Sequence, residues 1–448
     1  MLRFPSRFIA AVCEPVWDAY ERSERLRTYR ELLESQWYEK DRLAEIRSRR
    51  LQKLVRHAAE TSPFYGRRFA EAGIDPFSVR QLDDLRSLPL LTKNDVREHL
   101  DEILSSRYDR AQLVPAKTGG STGIALAVYC DRRGVDRRNG AALRGDTWSG
   151  WQLGEPVAAV WGNPPKLKNW RNKVRLMLKD RRFYLDTMRI DDAAIEQFVR
   201  EWRHWRPGLL YGHAHSLYIL AEAVAARGYT LRPNGIVATS MMLLEHEREL
   251  IEKTFAVPVT NRYGCEEVSL IGCECEQHAG MHLNVEHAYF EFLGEDGSPC
   301  APGEDGRIVV TELVNFGMPM LRYEVGDRGI FSERVCPCGR SLPLLERVTG
   351  RVADFLRAAD GSRVAGISLI ENTLTRFAGI EQLQLVQEQP LELIANLVPG
   401  PGYDDQTARQ LGDVLRDSLG TEMKVEIRQL EKIPQEPSGK YRFSICKI

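Results

Sequence analysis

Six consecutive residues, Thr118-Gly119-Gly120-Ser121-Thr122-Gly123, set three glycines among three hydroxyls. Glycines let a backbone turn its N–H groups inward, and hydroxyls add further donors, so a loop of this make-up can wrap a phosphate chain. No Gly-Lys-Ser/Thr follows it, which excludes a Walker A loop. Taken by itself the cluster reads equally as a plain turn between strands. Three more signals follow in order: Tyr263-Gly264-Cys265-Glu266-Glu267, then Arg322-Tyr323-Glu324-Val325-Gly326-Asp327, then Pro437-Ser438-Gly439-Lys440. Among their residues are the carboxylates Glu267 and Asp327 and the cation Lys440, the last on a short glycine-flanked turn. A separate constellation holds Cys273, Cys275, His278 and His282, with Cys336 and Cys338 about sixty residues on. Paired soft ligands fit a tetrahedral structural Zn²⁺. Two Cys-x-Cys pairs fit buried reduced thiols as well, and spacing alone leaves both readings open.

The elements that must hold these residues follow from periodicity. The phosphate-loop candidate lies between an apolar approach, Leu113 to Ala116, and the alternating run Leu126 to Tyr129, giving strand, tight loop, strand. Residues 20–60 are charged and helix-periodic, with Leu43, Ile46, Leu51, Leu54 and Val55 on one stripe. From about 111 to 265, short apolar strands (157–160, 209–211, 235–238) alternate with helical segments (191–205, 216–226), which is α/β organisation around a buried sheet. Residues 281–335 turn to alternating strands, 287–293 and 307–313, joined by Asp296-Gly297 and Pro302-Gly303 turns. The last hundred residues have the size and pattern of a small α+β unit.

Length, 448 residues, exceeds one ordinary domain. With 62 basic and 63 acidic residues the net charge is −1, so no global field favours nucleic acid. The basic stretch from Lys166 to Arg182 is the local exception, read as a solvated helix or loop face. No apolar run is long enough to span a bilayer. Nine scattered cysteines do not form a secreted disulfide framework, and the expected location is cytoplasmic.

Taken in order, the four motifs resemble the adenylate-forming superfamily of acyl-CoA synthetases and adenylation domains. The nearest branch is the phenylacetate–CoA ligase and CapK-like capsule-biosynthesis type. The resemblance extends through Leu51-Gln52-Lys53-Leu54-Val55-Arg56-His57-Ala58, Ser62-Pro63-Phe64-Tyr65 and Leu88-Pro89-Leu90-Leu91-Thr92-Lys93, so it covers nearly the whole chain. It implies an α/β protein with a large multi-subdomain N-terminal adenylate-forming domain, residues 1–350, and a small mobile α+β C-terminal domain, residues 351–448. By the same resemblance Thr118, Gly119, Gly120, Ser121, Thr122 and Gly123 hold the β- and γ-phosphates of ATP. Tyr263 offers a flat face to adenine, and Gly264 and Glu266, the latter in place of the usual Thr, bind the nucleotide with it. Glu267 is the catalytic carboxylate that ligates Mg²⁺, a hard cation that takes oxygen ligands. Asp327 receives the ribose hydroxyls and Arg351 the ribose or phosphate. Lys440 is the catalytic lysine that bridges the attacking carboxylate and the α-phosphate, a task suited to a flexible point charge. Trp161, Tyr211, Gly212 and His213, at strand ends, line the acyl pocket. Cys275, His282, Cys336 and Cys338 hold structural Zn²⁺, with His278 or Cys273 as substitutes.

The resemblance also departs in places. Gly119 stands where Ser is common, and Ala353 stands where relatives carry a hinge Asp. Neither removes a charge that adenylation needs. The expected activity is ATP-dependent activation of a carboxylic acid, with CoA as the expected acceptor. Alternatives are transfer to an amine, a carrier protein or a sugar, transfer of AMP itself, or a zinc-stabilised binding protein without catalysis.

Overall fold

The computed structural model describes residues 4–117, 126–162, 164, 169–187, 190–241, 243, 245–349, 355–377, 379–433 and 444–448. The phosphate-loop candidates Thr118 to Gly123, together with Arg351, Ala353 and Lys440, lie outside the described residues. Their flanks are described: β1 (Val114–Lys117) pairs antiparallel with β2 (Ala127–Cys130).

Nine further segments of the first 350 residues join β4 and β10 at the ends of one sheet. They run β3 (Val157–Val160), β4 (Arg182–Leu185), β5 (Leu209–His213), β6 (Gly235–Thr239), β7 (Val259–Cys265), β8 (Ser269–Glu274), β9 (Met281–Leu283), β10 (Ala288–Leu293), β11 (Asp305–Glu312), β12 (Tyr323–Ser332) and β13 (Leu344–Val348). Their spatial order is β10-β11-β12-β13-β9-β8-β7-β6-β5-β3-β4, an eleven-stranded sheet. The β4–β7 portion is parallel and everything beyond β7 is antiparallel. Strand β7 is the joint, with a parallel neighbour on one side and an antiparallel one on the other.

Residue type explains the change. Strands β3, β5 and β6 are apolar on both faces because helices cover both. Ala158, Val160, Leu210, Ile236 and Ala238 pack on one side with Phe198, Leu217, Leu220, Ile251 and Phe255, which come from helices 192–205, 214–226 and 245–255. Val157, Leu209 and Val237 pack on the other with Trp151 and Leu143. The antiparallel half instead joins the N-terminal helices in one core containing Leu51, Leu54, Phe64, Tyr65, Phe69, Ile308, Val310 and Tyr323. The expected helix over 20–60 is two helices, Arg25–Ser35 and Lys40–Thr61, parted at Gln36–Glu39.

A third core, from Leu356 to Ile433, is built from helices Gly366–Arg376 and Asp405–Leu419 against a four-stranded sheet. After the short ladder of β14 (Phe355–Arg357) and β15 (Arg363–Ala365), that sheet comprises β16 (Ile380–Gln389), β17 (Glu392–Pro399), β18 (Lys424–Gln429) and β19 (Ser444–Cys446), in the order β18-β17-β16-β19.

The basic stretch 166–182 is only in part the solvated face expected of it: Trp170 and Arg171 are exposed, whereas two of its cations are buried. Lys179 is buried and donates to Asp18 Oδ1 at 2.8 Å and Glu21 Oε2 at 3.1 Å. Arg181 is buried too, donating to the Gly154 carbonyl at 2.7 Å. Tertiary ion pairs with the first helical segment account for the difference, and no local pattern encodes them.

Candidate active site and metal cluster

The loop between β7 and β8 carries Glu266 and Glu267. Gly264 is required at its start, because a Cβ there would sit 2.5 Å from the Ser269 carbonyl oxygen. Glu267 turns inward and is buried, whereas Glu266 is exposed. Glu267 Oε1 accepts from the Tyr323 hydroxyl at 2.8 Å. The Tyr263 hydroxyl donates to Asp327 Oδ2 at 2.7 Å. The second and third sequence motifs thus meet face to face, β7 against the start of β12.

Two further contacts fix this meeting. Arg138, on helix Arg132–Trp148, donates to the Glu267 carbonyl at 2.7 Å and the Glu266 carbonyl at 3.2 Å. It is itself paired with buried Glu312 through Nε at 2.7 Å and Nη2 at 2.6 Å. Asp131 caps that helix through the Gly134 N–H and also accepts from the N–H groups of Phe316 and Gly317. One carboxylate therefore ties the end of β2, the helix and the 315–317 loop together, and orders the base of the β1–β2 ladder.

Arg322 clamps the other side. It pairs with Glu291 through two nitrogens, at 3.1 and 2.9 Å, and donates to the carbonyls of Arg86 and Leu88 at 2.7 and 2.6 Å. Leu91 then bonds to β12 through the Arg322 carbonyl and the Glu324 N–H, each at 2.9 Å. The Leu88–Lys93 segment is thereby laid beside Asp327. Cations near Glu267 include Arg97, whose own charge is disfavoured by burial.

The acyl-pocket candidates cluster at the carboxyl ends of β3 and β5. Trp161 stacks on Tyr211, with centroids 5.4 Å apart, and lies against His213 at 3.9 Å. Gly212 faces the opposite side, where a Cβ would fall 2.8 Å from the Val160 carbonyl oxygen. Burial pushes the His213 imidazole down to about 4, so its ring is neutral at physiological pH. Beneath it, Arg262 donates to Asp146 at 2.7 Å and to the Tyr211 hydroxyl at 2.8 Å. Arg262 and Arg138 take part in the arrangement without having been singled out from the sequence, and Tyr323, although inside the third motif, was given no role there. Their type and position carried no local signal.

Cys275, His282, Cys336 and Cys338 come together, with all four ligand atoms within 4.8 Å of one another. Cys275 Sγ and Cys336 Sγ are 3.6 Å apart, and Cys338 Sγ lies 3.3 Å from His282 Nε2. His282 Nδ1 meets the Leu342 carbonyl at 3.1 Å, which turns Nε2 toward the sulfurs. A tetrahedral Zn²⁺ with three sulfurs and one nitrogen needs sulfurs about 3.8 Å apart, so the donor set fits that ion. The substitutes face elsewhere: Cys273 points at the Gly145 carbonyl and His278 at Glu274.

Known proteins share this architecture. Residues 356–447 match the CapK C-terminal domain family. Protein CapK of Staphylococcus aureus is 24% identical over 442 residues, 96% of this chain and 92% of that one. A phenylacetate–coenzyme A ligase of Thermus thermophilus is 26% identical over 325 residues, 71% of this chain and 72% of that one. Among solved structures, a 2-hydroxyisobutyryl-CoA ligase in complex with 2-HIB-AMP and CoA superimposes with a TM-score of 0.63 at 20% identity, covering 92% of this chain and 91% of that one. The chain is thus a homologue of CapK and of the phenylacetate–CoA ligases, with the adenylate-forming fold and a CapK-type C-terminal domain.

Proposed function

We propose that this protein is an ATP-dependent carboxylate-activating enzyme that forms an acyl-adenylate and passes the acyl group to CoA. The observation that carries the reading is the pairing of Glu267 with Tyr323 and of Asp327 with Tyr263, which puts both candidate carboxylates in one locality. The ligase relatives support it. In the reaction, a carboxylate oxygen of the acid bonds to the α-phosphorus of ATP, and the bond to the bridging oxygen breaks to release pyrophosphate. The CoA sulfur then bonds to the acyl carbon and AMP leaves. Two anions must meet in the first step, so charge neutralisation and in-line positioning decide the rate.

In this reading Thr118–Gly123 wrap the phosphates, Asp327 takes the ribose hydroxyls, and the Tyr263 ring lies along adenine with its hydroxyl on Asp327. Mg²⁺, held by Glu267, would supply positive charge against the phosphates. Tyr323 holds the Glu267 carboxylate in one orientation, and Arg138 anchors its backbone. Arg351 and Lys440 come from a C-terminal unit, residues 351–448, which we propose moves as a body relative to 1–350. Lys440 spans the attacking carboxylate and the α-phosphate. Trp161, Tyr211 and His213 form the aromatic, uncharged wall of the acyl pocket, which suits an aryl or arylacetic acid. Zn²⁺ at Cys275, His282, Cys336 and Cys338 is structural, since four protein ligands leave no open position.

A second reading, with an amine, a carrier thiol or a sugar as acceptor or with AMP itself transferred, is kept because the likeness to the CoA ligases is partial. Similarity to CapK runs through 96% of the chain and includes the C-terminal domain, whereas similarity to the phenylacetate–CoA ligase covers 71%. The test is pyrophosphate release from Mg-ATP over a panel of aryl, arylacetic and aliphatic acids, with and without CoA, beside Lys440→Ala. Acid-dependent release that the variant loses supports adenylation, and product mass names the acceptor. Release undiminished in Lys440→Ala would sink the role given to that lysine.

A further inference from the structure

The first helical segment is built inside out. Ser6–Phe8, Ile9–Cys13 and Glu14–Glu21 run on without interruption, about 24 Å at 1.5 Å per residue. Its inner face carries the charges: Glu14 and Asp18 are buried, both bound by Arg25, and Asp18 is also bound by Lys179. Its outer face carries the apolar side chains. Phe8, Val12, Val16 and Tyr20 recur every four residues and are 43%, 42%, 64% and 66% exposed. The wide turn at Ile9–Cys13 helps keep a four-residue repeat on one side, where an α-helix alone would rotate it by about 40° per step. Trp170, 77% exposed, and Arg171, whose guanidinium sits 4.9 Å over the Tyr20 ring, extend the patch at its far end.

An exposed apolar row of this length, on a helix whose Glu14 and Asp18 carboxylates are turned inward, marks a contact surface. Its charge says what it meets. Arg7, Arg22 and Arg171 are exposed along it, and no acid between residues 5 and 22 is. Aromatic rings at both ends, flanked by arginines, are the side chains that settle at a bilayer interface. A symmetric pairing with a second copy would instead set these arginines against the same arginines. We propose that the Phe8–Tyr20 face, continued by Trp170 and Arg171, docks the enzyme onto the surface of an anionic phospholipid membrane, lying flat in the headgroup layer. None of these residues belongs to the adenylation machinery proposed above, so the two proposals stand or fall separately.

The test is co-sedimentation of the full chain with vesicles of phosphatidylcholine alone and of phosphatidylcholine with one-quarter phosphatidylglycerol, at low and high salt. Expected are binding to the anionic vesicles that salt weakens, at least tenfold weaker binding by Val12→Glu/Val16→Glu, and about fivefold weaker binding by Arg171→Ala. Each substituted side chain is exposed, so an unchanged melting curve verifies that the variants fold. Absence of binding to anionic vesicles at low salt, or undiminished binding by the double variant, overturns the proposal. So does a concentration-dependent dimer in light scattering that the double variant abolishes, which would assign the face to a second copy.

Discussion

Tyr323 and Glu267 are joined by a buried hydrogen bond of 2.8 Å across 56 residues, and a mirror-image pair stands beside it. Tyr263 precedes Glu267 by four positions, and Tyr323 precedes Asp327 by four. Each tyrosine serves the other segment's carboxylate. The crossing makes the two acids mutually dependent. Tyr323→Phe removes a neutral donor from a carboxylate, a loss of about 1.5–3 kcal/mol. It should slow acid-dependent pyrophosphate release roughly tenfold or more and raise the Mg²⁺ needed for half-maximal rate, while Tyr263→Phe should act on the KM for ATP. Kinetics of Tyr323→Phe matching the parent at every Mg²⁺ concentration would remove Glu267 from its proposed role.

The four-ligand cluster predicts about one zinc per folded chain by elemental analysis. Stripping it with a chelator, or replacing Cys336 by Ser, should lower Tm by several degrees, since metal binding to such a site is folding free energy. The same treatment should leave the metal requirement of catalysis, for Mg²⁺, where it was. Protein that is metal-free as purified and melts identically with and without chelator would remove zinc from the account.

His213 gives a pH prediction with a definite sign. Its folded-state value is held near 4 by burial, against about 6.5 in an unfolded chain. Below pH 6.5 the unfolded chain takes up a proton that the folded one refuses, so stability falls as pH drops from 6.5 and levels off below 4. The full loss is about 3 kcal/mol. Urea midpoints between pH 7 and 4 should fall less steeply in His213→Gln than in the parent. Parallel slopes would show that the ring takes its proton in the folded state.

Arg144 is the largest fully buried side chain among the described residues, held by Glu286 at 2.5 Å and Asn284 at 3.0 Å. Arg144→Met strands the Glu286 charge in the core and should cost about 3–5 kcal/mol in urea unfolding. Adding Glu286→Leu should recover part of that loss. A double variant less stable than Arg144→Met would show that the pair, and not the stranded charge, sets the cost.

How much of this was legible in the sequence follows from the range of the interactions. The alternation of strand and helix from 157 to 255 is written in local apolar periodicity, and the three strands expected there (157–160, 209–211, 235–238) lie within two residues of those observed, whereas β4 at the end of the basic stretch was not read. The Cys/His cluster was legible because its ligands are rare residue types, although only the fold separates Cys275 from Cys273 two residues away. The crossed tyrosine pairs were hidden, since nothing near Tyr323 announces a partner 56 residues back. The burial of Lys179 was hidden for the same reason. Its counter-charges, Asp18 and Glu21, lie more than 150 residues upstream. Nothing in the local sequence marks Arg138, whose partners Glu312 and the Glu267 carbonyl lie more than 120 residues away.

The 61-residue span between Cys275 and Cys336 encloses β9 to β12, and with them Tyr323 and Asp327. A metal that joins its two ends closes a large loop, and a closed loop has fewer unfolded arrangements to return to. By the chain-entropy estimate a cross-link of that span is worth about 4 kcal/mol. The ion would thus secure Asp327 without touching it, by shrinking the disorder available to the strands that deliver it.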